Sequence, residues 1–305
     1  TAAASIGPWR WVRSVLGARF DFDIPVEIGT AIERVAAERG VTPFMVVHAA
    51  LAVLLARLSA TEDIAIATPI AGRGQRALDP LVGMFVNTLV LRTRVDPAAT
   101  FLDILEQTRD TDLDAFANAD LPFERLVDHL NPVRSEAFAP LAQVLFTLNQ
   151  ATLPELGGEL GAVVVDGLTV EAVDNEVTPA RVDLTIGLAA AAAGQPWRGS
   201  IVYATDLFDE STVVLLRERF LRLLSDLIAN PAIGVLDVGL MSPDEVAAVR
   251  GFEQGPDVTL PDVVSVDAAV MRTVIRDSGR TALIAGEREV SYVEFGARVN
   301  TLARA

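Results

Sequence analysis

The sequence predicts an α/β fold in which a mixed β-sheet is flanked by helices, and three observations carry that expectation. Short runs rich in apolar and β-branched residues recur along the first 240 positions and read as strands. Between several of them lie stretches with apolar residues three and four apart, which read as helices. The chain has 305 residues, 51% of them hydrophobic, enough for one or two domains with a sizeable core.

Residues 1–16 carry Trp9 and Trp11 with little periodicity and read as a linker. From Arg19 to Ile24 polar and apolar residues alternate, a strand pattern. Pro25 opens a helix whose apolar face is Ile28, Ala31, Ile32, Val35 and Ala36, and Gly40 stops it. Thr42 and Pro43 cap a second helix with a stripe of Phe44, Val47, Leu51, Leu54, Leu55 and Leu58. A strand from Asp63 to Thr68 leads into Pro69–Arg73 and a polar loop that reaches Pro80. The stretch Val82–Arg92 is apolar on both faces in its middle, so it reads as a buried central strand.

Thr100 and Asp103 form a capping box for a helix that runs to about Asn118. Asp120-Leu121-Pro122 breaks it. A short amphipathic helix follows, with Phe123, Leu126, Val127 and Leu130 on one face and Glu124, Arg125 and Asp128 on a solvated one. Strand-like runs cover Leu141–Asn149, Val163–Val173, Arg181–Ala191 and Trp197–Tyr203, with a loop at 151–161. Asp209 caps a long helix from Ser211 to Ala229, which Asn230-Pro231 ends. Residues 231–262 read as a linker with a short helix from Ser242. In the tail, Val270 and Val274 suggest a helix, Thr281–Ala285 a strand and Ser291–Phe295 a helix start. So few elements cannot bury a core of their own. Val270, Val274 and Leu283 are therefore expected against the preceding lobe or each other.

The formal charge of −16 argues against a nucleic-acid surface, which requires a basic stripe. With no cysteine there is no disulfide framework, thiolate nucleophile or Cys-ligated metal. All 25 basic residues are arginine, which removes Schiff-base lysines and a phosphate-loop lysine. No apolar run reaches the ~18–20 residues of a membrane span. No signal peptide opens the chain, which begins at Thr1 and reads as an interior piece of something longer. The expectations are a soluble cytoplasmic protein with no nucleic-acid, membrane or metal partner.

Few residues stand out chemically. Asn87 and Thr88 are neighbouring polar groups in an apolar strand, so they point to opposite faces. A buried amide left unpaired costs ~1–3 kcal/mol. Asn87 thus needs either a neighbouring loop or a wet cavity. Asn149 and Gln150 end another strand where a loop can turn into a cavity. Arg73 has the donor fork for a phosphate, and equally for carbonyls or a carboxylate within its loop. His48 lies on the apolar face of its helix and reads as a packed histidine without partners; His129, beside Asp128, reads as structural or surface. The residues alone contain no catalytic triad, diagnostic carboxylate pair, metal cluster or phosphate loop.

Four stretches, in order, resemble the condensation domains of nonribosomal peptide synthetases. Gly83-x-Phe85-Val86-Asn87-Thr88-x-x-x-Arg92 is similar to a core motif of that family. Pro69–Arg73 resembles its Pro-Val-Ala-Gly-Arg. Asp120–Val127, with Pro122, Phe123 and Glu124, resembles Gln-Asp-Leu-Pro-Phe-Glu, with Ala119 in place of Gln and Asn118 in place of His. Arg134 with Pro140–Val144 resembles Arg…Pro-Leu-Phe-Gln-Val, with Ala142 in place of Phe. The tail resembles, more loosely, the start of an adenylation domain around Ser291–Phe295.

The resemblance implies one lobe of a chloramphenicol acetyltransferase-like fold. It divides the chain into an inter-lobe linker (1–16), a C-terminal lobe (17–240), a linker (241–262) and an incomplete adenylation domain (263–305). The family forms amides between thioesters carried on 4′-phosphopantetheine arms of donor and acceptor carrier domains. Its catalytic His-His-x-x-x-Asp-Gly belongs to the N-terminal lobe and is missing here, so the lobe alone is expected to be inactive. No cofactor is expected on the lobe itself. The implied partners are the N-terminal lobe, the two carriers and the adenylation domain. Asn87, Thr88, Asn149 and Gln150 would line the substrate tunnel, while Arg73, Gly83, Arg92, Pro122, Phe123, Glu124 and Arg134 would be structural. Alternatives are a degenerate scaffold lobe, an epimerisation domain of the same fold and, for the tail only, an adenylate-forming ligase.

Overall fold

The computed structural model describes residues 15–72, 78, 80–133, 135, 137–150, 163–165, 168–170, 178–253, 255 and 265–304. The chain divides into two compact units, Thr1–Ser242 and Pro243–Ala305.

The first unit is the expected α/β type. Its strands are β1 (Leu16–Ile24), β2 (Asp63–Ile70), β3 (Asn87–Arg94), β4 (Val144–Gln150), β5 (Val163–Val165), β6 (Leu168–Val170), β7 (Thr178–Pro179), β8 (Leu184–Ala190) and β9 (Trp197–Ala204). Its helices are α1 (Val26–Arg39), α2 (Pro43–Ser59), α3 (Phe101–Ala117), α4 (Phe123–Leu130) and α5 (Glu210–Ala229). Seven strands form one sheet in the order β3-β2-β4-β8-β9-β1-β7, while β5 and β6 pair as a separate hairpin. The sheet is mixed, because β4 runs parallel to both β2 and β8 and the remaining pairs are antiparallel.

Local rules account for the helices. Thr42 accepts a hydrogen bond from the Met45 amide at 3.2 Å with Pro43 at the first helical position. Gly40 ends α1 at φ 64°, a left-handed value that glycine adopts freely. At α3 the Thr100 hydroxyl accepts from the Asp103 amide (3.3 Å), and the Asp103 carboxylate accepts from the Thr100 amide (2.8 Å). The Thr100 hydroxyl also donates to this carboxylate (2.6 Å), and that bond, with the one from the Thr100 amide, holds the Asp103 carboxyl below the ordinary carboxylate range. The contribution of the cap is therefore present above the unfolded-state pKa and is lost as pH falls through the lower folded value. Thr100→Ala is expected to lower stability by about 1 kcal/mol, measured by urea unfolding at neutral pH.

α2 is buried nearly all round between α1, α3 and α5, which explains eleven buried positions where a single stripe was expected. The core joins these helices to Ile24, Ile66, Phe146, Ile186, Leu188 and Ile201 of the sheet. No single described helix is long and apolar enough to cross a membrane.

Two expectations are corrected. β3 is an edge strand, and the run ahead of it is not a strand. Pairing starts only where β2 ends, at Ile70↔Asn87, so residues 81–86 have no strand beside them. Val82, Met84 and Val86 are instead exposed by 103%, 89% and 60%. An apolar run on both faces is shared by a buried strand and by a loop with an exposed apolar surface, and periodicity does not separate the two. The segment after Pro231 is likewise not all linker. The amides of Phe101 and Leu102 donate to the Ile233 and Pro231 carbonyls, and Arg57 donates to those of Val235 and Val238. Val235 and Val238 are buried, so the chain belongs to the first unit through this stretch.

The second unit contains α6 (Pro243–Glu253), α7 (Val266–Arg276), β10 (Thr281–Ala285), β11 (Arg288–Ser291) and α8 (Tyr292–Arg304). β10 and β11 form an antiparallel hairpin. α7 meets α8 where Val274 covers Gly296; a Cβ there would lie 2.9 Å from Val274 Cγ1. Leu283, expected to be packed, is 50% exposed.

Candidate functional site at one end of the sheet

β2 is antiparallel to β3 and parallel to β4. The start of β3, the end of β2 and the end of β4 therefore lie at one end of the sheet. This topology brings Asn87 and Thr88 to the same end as Asn149 and Gln150, with Ile70 of β2 between the two strands. Asn149 is exposed there and Thr88 is half-buried. The side chain of Gln150, together with Arg73 and Arg134, lies outside the described residues.

Of the two readings of Asn87, the structure shows the loop-bonded one. Its amide nitrogen donates to the carbonyls of Ala119 (2.9 Å) and Leu121 (2.8 Å). Its oxygen accepts from the Phe123 amide (3.0 Å) and from the Thr88 amide (2.8 Å). The turn between α3 and α4 is thus clamped to the start of β3. Pro122 is the N-cap of α4 without a side-chain cap bond, so the Asn87 oxygen satisfies an N-terminal amide that the helix itself leaves open. Glu124 sits exposed in the first turn of α4.

Gly72 joins another motif to this end. It has φ +61°, and a Cβ on it would lie 1.8 Å from the Phe85 carbonyl oxygen. Only glycine fits so close a backbone approach. Gly83, in contrast, is exposed. The Pro140–Val144 stretch lies at the other end of the sheet, where β4 begins: the Gln143 side chain donates to the Ala139 carbonyl (2.9 Å), and its own carbonyl accepts from the Asp183 and Leu184 amides. Val144 and Leu145 then pair with Ile66 and Ala67.

Arg92 is not part of this site. It lies near the other end of β3, where it donates to Asp63 at 2.8 and 2.6 Å. The pair is exposed at 74% and 52%, so it contributes little to stability. The bond from Arg92 nevertheless lowers the Asp63 pKa and raises that of Arg92.

His48 is fully buried, but it is not alone, as its helix face suggested. Its Nδ1 lies 3.0 and 3.1 Å from the two oxygens of Asp112, which is also fully buried. Asp112 was missed. The signal was its place on the α3 stripe Phe101, Ile104, Leu105, Thr108, Asp112, a carboxylate where the spacing calls for an apolar residue. Phe44 stands beside this pair, stacked on Phe146 (5.0 Å) and edge-on to Phe116 (6.4 Å). His129 is on the exposed face of α4. Among the described residues no group of acidic and histidine side chains can hold a metal.

A mixed sheet whose helices cover a continuous core, with three of the four motif stretches meeting at one sheet end, defines an α/β fold of the chloramphenicol acetyltransferase type. Solved structures share the fold. A four-domain nonribosomal peptide synthetase bound to AMP and glycine superposes with a TM-score of 0.74 at 22% identity over 96% of this chain and 22% of that one. The first condensation domain of the calcium-dependent antibiotic (CDA) synthetase gives 0.59 at 22% identity over 75% of this chain and 49% of that one. The condensation domain family matches residues 10–249, and the chain belongs to that family. A probable nonribosomal peptide synthetase of Salinispora arenicola, CymA, is 40% identical over 277 residues. The phosphinothricin tripeptide synthetase PhsC of Streptomyces viridochromogenes is 35% identical over 302 residues. The chain spans 3% and 26% of the lengths of these two relatives.

Proposed function

We propose that the chain is the C-terminal lobe of a condensation domain in a nonribosomal peptide synthetase, followed by a linker and the first elements of an adenylation domain. The observation that carries this reading is the meeting of three of the four motif stretches, Pro69–Ile70, the start of β3 and the α3–α4 turn, at one sheet end, in a chain without a paired-histidine motif. Two alignments support it. A single condensation domain is covered to 49%, which suits one lobe of two. The four-domain synthetase is aligned over 96% of this chain, tail included. The division into units at Ser242 supports a domain boundary near residue 240.

In the reaction the lobe would serve, an acceptor amine attacks a donor thioester. A C–N bond forms, the C–S bond breaks, and the thiol leaves with the proton that the amine gives up. The group that assists this proton transfer belongs to the N-terminal lobe. Residues here act by position. The end of the sheet that carries Asn87, Thr88, Asn149 and Gln150 forms the tunnel wall, and Asn87 holds the α3–α4 turn in place. Phosphopantetheine reaches the site on the arms of the carrier domains, in the cytoplasm. The chain alone, incubated with loaded donor and acceptor carriers, is expected to yield no dipeptidyl product above a no-protein control. The same chain joined to a matching N-terminal lobe is expected to yield product. Product from the chain alone would refute the reading.

A further inference from the structure

The first unit contains a cleft of about 930 Å³ at the end of the sheet opposite Asn87. It opens where the sheet splits. β2 and β4 pair only at Ile66↔Val144 and Ala67↔Leu145, so Asp63–Ala65 have no partner on that side. The wall between α4 and β4 includes Leu141, whose φ of +66° is strained for a bulky side chain. Strain of this kind is kept where the surroundings impose it, and it concentrates at binding sites.

The lining is mostly apolar and comes from several elements. Leu55 and Leu58 arrive from α2, Val90 from β3, Leu126 and Leu130 from α4, and Leu216 from α5. Leu58 and Leu130 remain 42% and 56% exposed, although burying apolar surface is favourable. Of the cations in the wall, Arg92 is paired with Asp63, and Arg219 has a partner although its Nε is buried without a hydrogen bond. A charged ligand would have to displace these partners. The volume lies in the range of ~300–1,000 Å³ typical of small-molecule sites.

We propose that this cleft binds a compact, uncharged, predominantly apolar small molecule. The site is separate from the condensation reading and stands or falls without it. The test titrates the full chain with Nile red, an uncharged apolar dye, and follows its fluorescence. Saturable binding at one dye per chain is expected. Ala65→Trp, which fills the floor, and Leu130→Arg, which places a charge at the mouth, are each expected to weaken binding at least tenfold. Leu130→Arg alters an exposed position, so its melting temperature should match that of the parent, and it decides the matter alone if Ala65→Trp does not fold. The anionic dye 1-anilinonaphthalene-8-sulfonate is expected to bind at least tenfold more weakly. Equal binding of the two dyes overturns the assignment of an uncharged ligand. Absence of saturable binding, or binding that neither variant moves, overturns the site and leaves a protein partner as the occupant of the cleft.

Discussion

Asp112→Leu is expected to destabilise the first unit by about 3–5 kcal/mol, because it leaves the His48 ring buried without its partner. His48→Leu should cost a similar amount by stranding the Asp112 carboxylate. The double replacement is expected to recover most of the loss. Two apolar side chains in place of a buried polar pair are often neutral or stabilising, since neither leaves a group that needs water. Urea unfolding followed by tryptophan fluorescence reads this directly, since Trp197 lies in the first unit and is only 2% exposed. The coupling between the single changes is the informative quantity. Simple additivity would mean that the two side chains do not act as a pair.

Asn87→Ala should come next in size. It removes four hydrogen bonds, three of them to the turn between α3 and α4. At about 0.5–1.5 kcal/mol net per bond, and less for the exposed one, the expected loss is about 2–4 kcal/mol. Asn87→Asp separates this clamp from a requirement for size. It keeps the acceptor for the Phe123 amide but sets a carboxylate oxygen against two carbonyls that now accept at 2.8–2.9 Å. The aspartate variant should therefore be at least as unstable as alanine. Hydrogen exchange at the Phe123 amide should lose protection in the alanine variant. If Asn87→Asp is as stable as the parent, the clamp is not what holds the turn.

These two side chains show where sequence reading runs out. Thr42, Thr100 with Asp103, and Gly40 were legible because a cap bonds to groups one to four residues away. The burial alternation of β1, with Phe20, Phe22 and Ile24 inward, followed from the two-residue period of a strand. His48 and Asp112 are 64 residues apart, and only the docking of α2 on α3 brings them together. Asn87 finds its carbonyls 32 and 34 residues away for the same reason.

By itself the sequence determined the fold class, most of the helices and their caps, the order of the motif stretches and the resemblance they carry. Only the tertiary structure decided that β3 is an edge strand, that residues 81–86 form an exposed apolar loop, and that Asn87 is spent on a turn. The same holds for the buried partner of His48. The physical reason is range. Propensity, periodicity and capping act within a few residues along the chain, whereas strand neighbours, burial and hydrogen-bond partners are set by segments that meet only when the core closes.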